Sequence, residues 1–374
     1  MKYYIVAGEP SGDLHSSKLI KELKSIDKSA VFRGFGGDLM QNEGLQLVRH
    51  YKYLSFMGFL EILINIKTII KNLRICKNDI KSFNPDVIIL VDYPGFNLRI
   101  AAFAKSLGIK VFYYISPKAW LWKNSRVEKI RKNVDRMFVI FPFEVDFYKK
   151  KDIDVNYVGM PLLDEISNEK RISEKQLRDE LSIDNDKPII ALLPGSRKQE
   201  ITKMLPIMLT QIDLFKEYQF VLAATSLKIK HIYEKIIGDI DIPIAYNKTY
   251  DLLNHSHAAL VTSGTATLET ALFRVPQVVC YKTSFINYQI ITKIISLKIK
   301  YISLVNIILD KKAVVELIQN RLNKNLLKKE LGSILKGENR KKILEDYHML
   351  YNILGEKGAS ARAAKQMYNI LKNH

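Results

Sequence analysis

An α/β fold of two Rossmann-like halves is predicted by three features: a strand, glycine loop and helix at the start, continuous apolar runs at α/β spacing, and a restart of the pattern near the midpoint. Tyr3 to Ala7 is apolar and reads as a buried first strand, and Leu19, Ile20 and Leu23 share one face of the helix that follows. Between them, Gly8 and Gly12 allow the backbone close to a ligand, and the first helical amides carry partial positive charge. Gly-x-Gly-x-x-Gly, the dinucleotide pattern, is absent. The loop instead carries Glu9, Ser11, Asp13 and His15, which suits a polyhydroxylated ligand better than a bare pyrophosphate. A helix cap from Ser11 or Asp13 is the plainer account of the same residues.

The remaining elements follow in order. Val87 to Val91 is a continuous apolar run, as expected for a central parallel strand covered on both faces. Val111 to Ile115 and Met137 to Ile140 read as two more strands. The polar stretch from Asn168 to Lys187, part of it helical, is the linker candidate. Ile189 to Leu193 is then a strand, Pro194 to Arg197 a turn, and a helix follows near Glu200, with further strands at Phe220–Ala223, Ala258–Thr262 and Gln277–Tyr281. The expected division is a first domain of residues 1–165 and a second of residues 166–374, the last helix packing back on the first domain and the two parallel sheets facing across a cleft.

A length of 374 residues suits two ordinary domains. Met1 leads straight into the first strand, and the cysteines Cys76 and Cys280 stand far apart with no metal-ligand spacing. Both features point to a cytoplasmic protein with reduced core thiols, with no metal and no cofactor expected. The net charge of +19 is spread along the chain in a Lys-, Ile- and Asn-rich sequence without zinc-finger, RNP-type or basic-region motifs. An anionic membrane surface or anionic substrate explains it better than nucleic acid.

Two ligand loops stand out in the second half. In Leu193-Pro194-Gly195-Ser196-Arg197, glycine allows close approach and the guanidinium forms a fork to a phosphate. In Thr262-Ser263-Gly264-Thr265-Ala266-Thr267-Leu268-Glu269, hydroxyls and amides at a helix start suit a diphosphate. Glu269 projects one turn deeper than Thr265, on the same face, where it suits ribose hydroxyls. Each loop alone also fits a capped surface helix.

With these residues in view, the chain resembles the lipid-A-disaccharide synthases, bacterial glycosyltransferases of the GT-B fold, along nearly its whole length. The resemblance rests on Ala7 to Asp13, Asp92-Tyr93-Pro94-Gly95-Phe96-Asn97, Ser116 to Trp122, Phe141 to Glu144, Leu193 to Arg197, Ser263 to Glu269 and Tyr301 to Asn306. It implies a metal-independent, inverting enzyme that joins UDP-2,3-diacylglucosamine to 2,3-diacylglucosamine 1-phosphate. The products are a β-1,6-linked disaccharide 1-phosphate and UDP. The chain departs from the family at Gly95, where some relatives have a second acid, and at Met160, where many have histidine.

Inversion needs a base on the acceptor hydroxyl. Asp92, at the end of a buried strand and in a family motif, is the expected base, with Glu9 the runner-up and otherwise a ligand of sugar hydroxyls. Gly8, Ser11, Gly12, Asp13 and Asn97 are expected to contact the acceptor side, and Gly195, Ser196, Arg197, Ser263, Gly264, Thr265, Glu269 and, through its motif, Asn306 to hold UDP. Acylated substrates imply work at the inner-membrane surface. Phe56, Met57 and Phe59 lead an apolar, lysine-flanked stretch too interrupted to span a bilayer but suited to dip into it, although a helix covering the sheet fits too. A homo-oligomer is compatible with all of this. The alternatives are a UDP-sugar epimerase of the same fold, a basic nucleic-acid-binding protein and a non-catalytic lipid carrier.

Overall fold

A computed structural model of the chain describes residues 1–54, 65–117, 125–168, 171–225, 227–283 and 300–373. It divides into two compact units, Met1–Glu165 with Leu354–His374, and Ile166–Ile353.

Unit 1 holds a seven-stranded, all-parallel sheet. Its strands are β1 (Lys2–Ala7), β2 (Val31–Gly36), β3 (Gln46–His50), β4 (Val87–Val91), β5 (Lys110–Tyr114), β6 (Arg136–Val139) and β7 (Val155–Tyr157), in the order β3-β2-β1-β4-β5-β6-β7. The apolar runs mark the central strands: Tyr3 to Ala7 and Val87 to Leu90 are wholly shielded from solvent. Helices on both faces leave no polar side to these strands, so their sequences do not alternate. Leu19, Ile20 and Leu23 of the Pro10–Ile26 helix are buried, each contributing about 2 kcal/mol by removal from water. Strand order reverses at β1/β4, and the register sets Ala7 opposite Val91 and Val91 opposite Tyr114. The loops leaving β1, β4 and β5 therefore emerge side by side at the carboxyl edge, the place where ligands collect in such sheets.

The terminal helix, Ala359–Lys372, completes this unit by packing on the Pro10–Ile26 helix, with Ala359, Ala363, Ala364 and Met367 buried. Asp164 accepts from the amides of Gly358 and Ser360 at its start, and Arg362 donates from Nε to the Val158 carbonyl at 2.9 Å.

Unit 2 carries a six-stranded parallel sheet of β8 (Ile189–Leu193), β9 (Gln219–Ala224), β10 (Ile244–Tyr246), β11 (Ser256–Thr262), β12 (Gln277–Tyr281) and β13 (Val315–Ile318), ordered β10-β9-β8-β11-β12-β13. The reversal here falls at β8/β11, where Leu193 pairs with Val261. The stretch expected to be a linker holds the Glu174–Glu180 helix, closed by a Ser173/Gln176 capping box. Leu177 of that helix is buried in the unit 2 core, so the segment is a layer of the unit rather than a tether.

The strands absent from the sequence reading are β2, β3, β7, β10 and β13. Glycines at 34 and 36 break the apolar run of β2, and β3, β7, β10 and β13 are short edge strands with mixed polarity, where one side faces solvent. Cys76 and Cys280 are both buried free thiols. No described helix is long and apolar enough to cross a membrane.

Candidate active site

In unit 1 the loop after β1 begins with Gly8. A Cβ there would meet Tyr93 Cδ1 at 2.3 Å, so glycine is what allows the Tyr93 ring to lie over the loop. Tyr93 is fixed by its hydroxyl, which donates to the Leu54 carbonyl at 2.6 Å, and by packing on Phe96. Burial, with the Glu9 charge added to it, pushes the Tyr93 phenol up to about 12. Glu9 caps the Pro10–Ile26 helix through its extended backbone alone, no side chain serves as cap, and Ser11 is exposed on the first turn. Gly12 is buried against Ala7, whose Cβ lies 3.2 Å from where a Gly12 Cβ would stand.

Asp13 does not belong to a ligand surface. It is buried and accepts from the amides of Gly37 (2.8 Å), Met40 (3.1 Å) and Leu39 (3.2 Å), capping the short Asp38–Asn42 helix that follows β2. Three backbone donors on one carboxylate leave it holding a neighbouring loop rather than a sugar.

The loop after β4 is strained. Asp92 and Tyr93 are consecutive non-glycine residues in the left-handed region, at φ 43° and 45°, each costing on the order of 1–2 kcal/mol. The surrounding hydrogen bonds hold them there. Asp92 N donates to the Tyr114 carbonyl at 3.2 Å, and the Asp92 carbonyl accepts from the Tyr113 hydroxyl and from Asn97 Nδ2 at 2.8 Å. Asn97 is fully buried and its Nδ2 also faces the carbonyls of Val6 (3.3 Å) and Val91 (3.2 Å). It is a bracket across the ends of β1 and β4, and the expected substrate contact is corrected accordingly. Asp92 itself is only partly buried. The Arg126 guanidinium, on the Ser125–Asn133 helix, lies within its field. Burial lowers the pKa of Arg126, while Tyr113 and Asp92 pull it back up. Burial likewise keeps Tyr113 protonated, and therefore a donor to the Asp92 carbonyl.

In unit 2 the loop after β8 turns at Gly195, φ 103°. Glu200, one turn into the Lys198–Leu209 helix, folds back on this loop. Its Oε2 accepts from the amides of Ser196 (3.1 Å) and Arg197 (3.3 Å), and its Oε1 from Arg197 Nη1 at 3.1 Å. A Cβ at Gly195 would come within 2.4 Å of Glu200 Oε2, so glycine is required for that carboxylate to reach the amides. Ser196 and Arg197 are exposed. After β11, Ser263 N donates to the Cys280 carbonyl and Ser263 Oγ to the Ile302 carbonyl, both at 3.1 Å. Gly264 and Thr265 are exposed at the start of the Thr265–Leu272 helix, and Glu269 accepts from the Tyr250 hydroxyl at 3.1 Å.

Asn306 is brought to the same neighbourhood but faces inward. It is fully buried, its Nδ2 donates to Val314 O and Glu316 Oε1 (both 2.9 Å), and its Oδ1 accepts from the amides of Ala313 (2.8 Å) and Val314 (2.9 Å). Two donors and two acceptor sites are the whole capacity of an amide, so the expected contact with UDP is replaced by a positioning role. Glu316 completes the brace, accepting also from the amides of Ile302 and Ser303.

Residues 3–370 match the model of the lipid-A-disaccharide synthetase family. The chain belongs to that family. A lipid-A-disaccharide synthase of Syntrophus aciditrophicus is 37% identical over 376 residues, covering 98% of this chain and 97% of that protein. One from Geobacter metallireducens is 37% identical over 337 residues, covering 88% and 87%, and one from Coxiella burnetii is 35% identical over 373 residues, covering 98% of each. Among solved structures, UDP-GlcNAc 2-epimerase from Neisseria meningitidis, bound to UDP-GlcNAc, gives a TM-score of 0.68 at 13% identity with all of both chains covered. The glycotransferase of kitacinnamycin gives 0.66 at 14% identity, covering 99% of each chain. These likenesses show the fold, GT-B, which transferases and epimerases share.

As a member of the lipid-A-disaccharide synthetase family the chain is a transferase, and its two departures from the family pattern have visible surroundings. Gly95 is exposed with nothing within 4 Å of a Cβ placed on it, so no packing demands glycine there. Met160 is buried, beside Gly159, which at φ 89° lies under the Arg362 guanidinium. Sequence reasoning missed Arg126, Tyr250, Glu200 and Glu316. Of these only Glu200 carried a signal, standing three residues after Arg197 as the far half of a capping box. Phe56, Met57, Phe59 and the motif residues 118–122 lie outside the described residues.

Proposed function

We propose that this family member joins UDP-2,3-diacylglucosamine to 2,3-diacylglucosamine 1-phosphate by a single inverting displacement. Asp92 takes the proton of the acceptor 6-hydroxyl as that oxygen bonds to the donor's anomeric carbon. The bond from that carbon to the phosphate oxygen breaks, and UDP leaves with the electron pair. The observation that carries this reading is the chain's family membership together with a partly exposed carboxylate at the strained end of β4, beside the loop of Gly8, Glu9, Ser11 and Gly12. Strain at such a turn is characteristic of sites that must hold one geometry.

Unit 1 is read as the acceptor side, with Glu9 and Ser11 orienting sugar hydroxyls. Unit 2 is read as the donor side. There the hydroxyls of Ser196 and Thr265 and the helix start at Gly264 and Thr265, with Ser263 and Arg197, meet the charge that develops on the leaving diphosphate. Glu269 accepts the ribose hydroxyls. A membrane-facing role for the stretch around Phe56, Met57 and Phe59 is supported from its flank. Ile66 and Ile70, at the start of the Ile66–Phe83 helix, are 45% and 51% exposed among Lys67 and Lys71.

The test is an incubation with both acylated sugars, expected to yield disaccharide 1-phosphate and UDP in equal amounts. Epimerisation of UDP-N-acetylglucosamine in the absence of an acceptor, with no disaccharide formed, overturns the reading. Replacing Phe56, Met57 and Phe59 together by Ser is expected to lower binding to anionic vesicles while the melting temperature holds. Unchanged vesicle binding moves the membrane contact elsewhere, and unfolding makes the segment core.

A further inference from the structure

Tyr250 belongs to no motif, yet it is held on several sides beside the proposed nucleotide loops. It sits on the Thr249–Asn254 helix after β10, and its hydroxyl donates to Glu269 Oε1 at 3.1 Å. Its ring packs against Phe273 at 5.5 Å between centroids, and the Arg171 guanidinium lies over both rings, 5.1 Å from Tyr250 and 5.6 Å from Phe273. A phenol placed by a ring contact and a cation–π contact has little freedom of its own. The last torsion of a glutamate is the opposite, a broad and nearly two-fold rotor. The hydrogen bond transfers the order of the ring cluster to the carboxylate.

We propose that Tyr250 is a positioning residue that sets the preference of the donor site for a ribonucleotide, by holding the Glu269 carboxylate in an orientation that accepts both ribose hydroxyls. The proposal rests on the reading of Glu269 as the ribose acceptor and adds how its selectivity arises. A carboxylate offers about four lone-pair sites, of which a phenol takes one and a vicinal diol two. Two bonds to a diol need the carboxylate plane set correctly, whereas a single hydroxyl is satisfied at many settings. Fixing the plane therefore favours ribose over 2′-deoxyribose. Sites built to hydrogen-bond a hydroxyl discriminate strongly against the analogue lacking it.

The experiment is calorimetric binding of UDP and of 2′-deoxy-UDP to the full chain, reading the ratio of the two dissociation constants. The unmodified protein is expected to favour UDP by about tenfold or more, the scale of one hydroxyl–carboxylate bond. Glu269→Gln should bring the ratio close to one. Tyr250→Phe should lower it by about threefold to tenfold, chiefly through weaker UDP binding, and should add nothing when combined with Glu269→Gln. Phe273→Leu keeps the hydroxyl but loosens the clamp, and should lower the ratio by less; it also serves if Tyr250→Phe fails to fold. A mere loss of packing would weaken both nucleotides alike and leave the ratio unmoved, and that result in Tyr250→Phe overturns the proposal while leaving Glu269 in its role. A ratio unaffected by Glu269→Gln, or already near one in the unmodified protein, overturns the reading of Glu269 and the proposal with it.

Discussion

The two switch points are built on one plan and held in opposite ways. At β1/β4 the polar residues of the motifs turn inward: Asp13 caps the Asp38–Asn42 helix and Asn97 spans the ends of two strands. At β8/β11 carboxylates from outside the motifs reach in. Glu200 occupies the amides of Ser196 and Arg197, and Glu316 the amides of Ile302 and Ser303. The first arrangement leaves few groups outward, chiefly Asp92, Glu9 and Ser11. The second leaves the hydroxyls of Ser196 and Thr265 and the helix start at Gly264 and Thr265 outward beside Arg197, an anion seat. Such a division suits a reaction in which one partner must lose a proton at a fixed point and the other must shed an anionic diphosphate.

The sharpest break in this comparison would come from Asp92. Asp92→Asn preserves shape and should lower turnover by about 10³-fold with an unchanged melting temperature, placing proton removal in unit 1. Activity close to that of the unmodified protein would pass the role to Glu9. Next in size, Arg197→Ala should cost about 10²-fold in kcat at saturating donor, since its charge matters most as UDP departs. A rise in KM alone would reduce Arg197 to a binding group. Asn306→Ala strands the buried amides of Ala313 and Val314, and roughly 3 kcal/mol of stability should be lost in denaturant titration. If stability held while only UDP binding fell, Asn306 would be a ligand after all. Asp13→Ala removes a helix cap, an effect of about 1–2 kcal/mol. A full loss of activity with no change in stability would contradict the inward reading of that residue.

The smallest effect concerns pH in unit 2. His257 is drawn below its ordinary 6.5 by burial, with Arg340 and Lys336 adding to this against a hydrogen bond to the Leu335 carbonyl. The folded state therefore binds fewer protons than the unfolded chain just below that pH. Its stability is fully present above 6.5 and declines as pH falls from there towards the depressed folded value. Melting temperatures taken from about pH 7.5 to about pH 5.5 should show this slope, and His257→Gln should flatten it.

The layout of the fold was legible because buried parallel strands leave an unmistakable trace: Val87 to Val91, Ile189 to Leu193 and Gln277 to Tyr281 are strands at the boundaries read from composition. Edge strands such as Val155–Tyr157 share their composition with loops, and only their neighbours identify them. At the site the loops could be read but not the direction of each side chain. A short polar residue after a strand has the same sequence signature whether it meets a ligand or a backbone amide, so Asp13, Asn97 and Asn306 looked like ligands. Arg126, Tyr250 and Glu316 arrive from distant parts of the chain and act only through the contacts that folding creates.

That Leu354–His374 belongs with Met1–Glu165 has a consequence for how the chain matures. Translation delivers the whole of the second unit before the helix that covers Leu19, Ile20 and Leu23's own helix exists. Until then the Pro10–Ile26 helix lacks its partner, and Asp164 and Val158 wait for Gly358 and Arg362. The first unit to be synthesised is thus the last to be completed, and its closure requires the Ala359–Lys372 helix to find the Pro10–Ile26 helix with the whole of the second unit lying between them in sequence. Contacts of such separation form slowly, because the entropy of closing the loop opposes them before any packing repays it. A nascent chain stalled short of its final helix would display an apolar helix face to chaperones and proteases, while its second sheet is already in place.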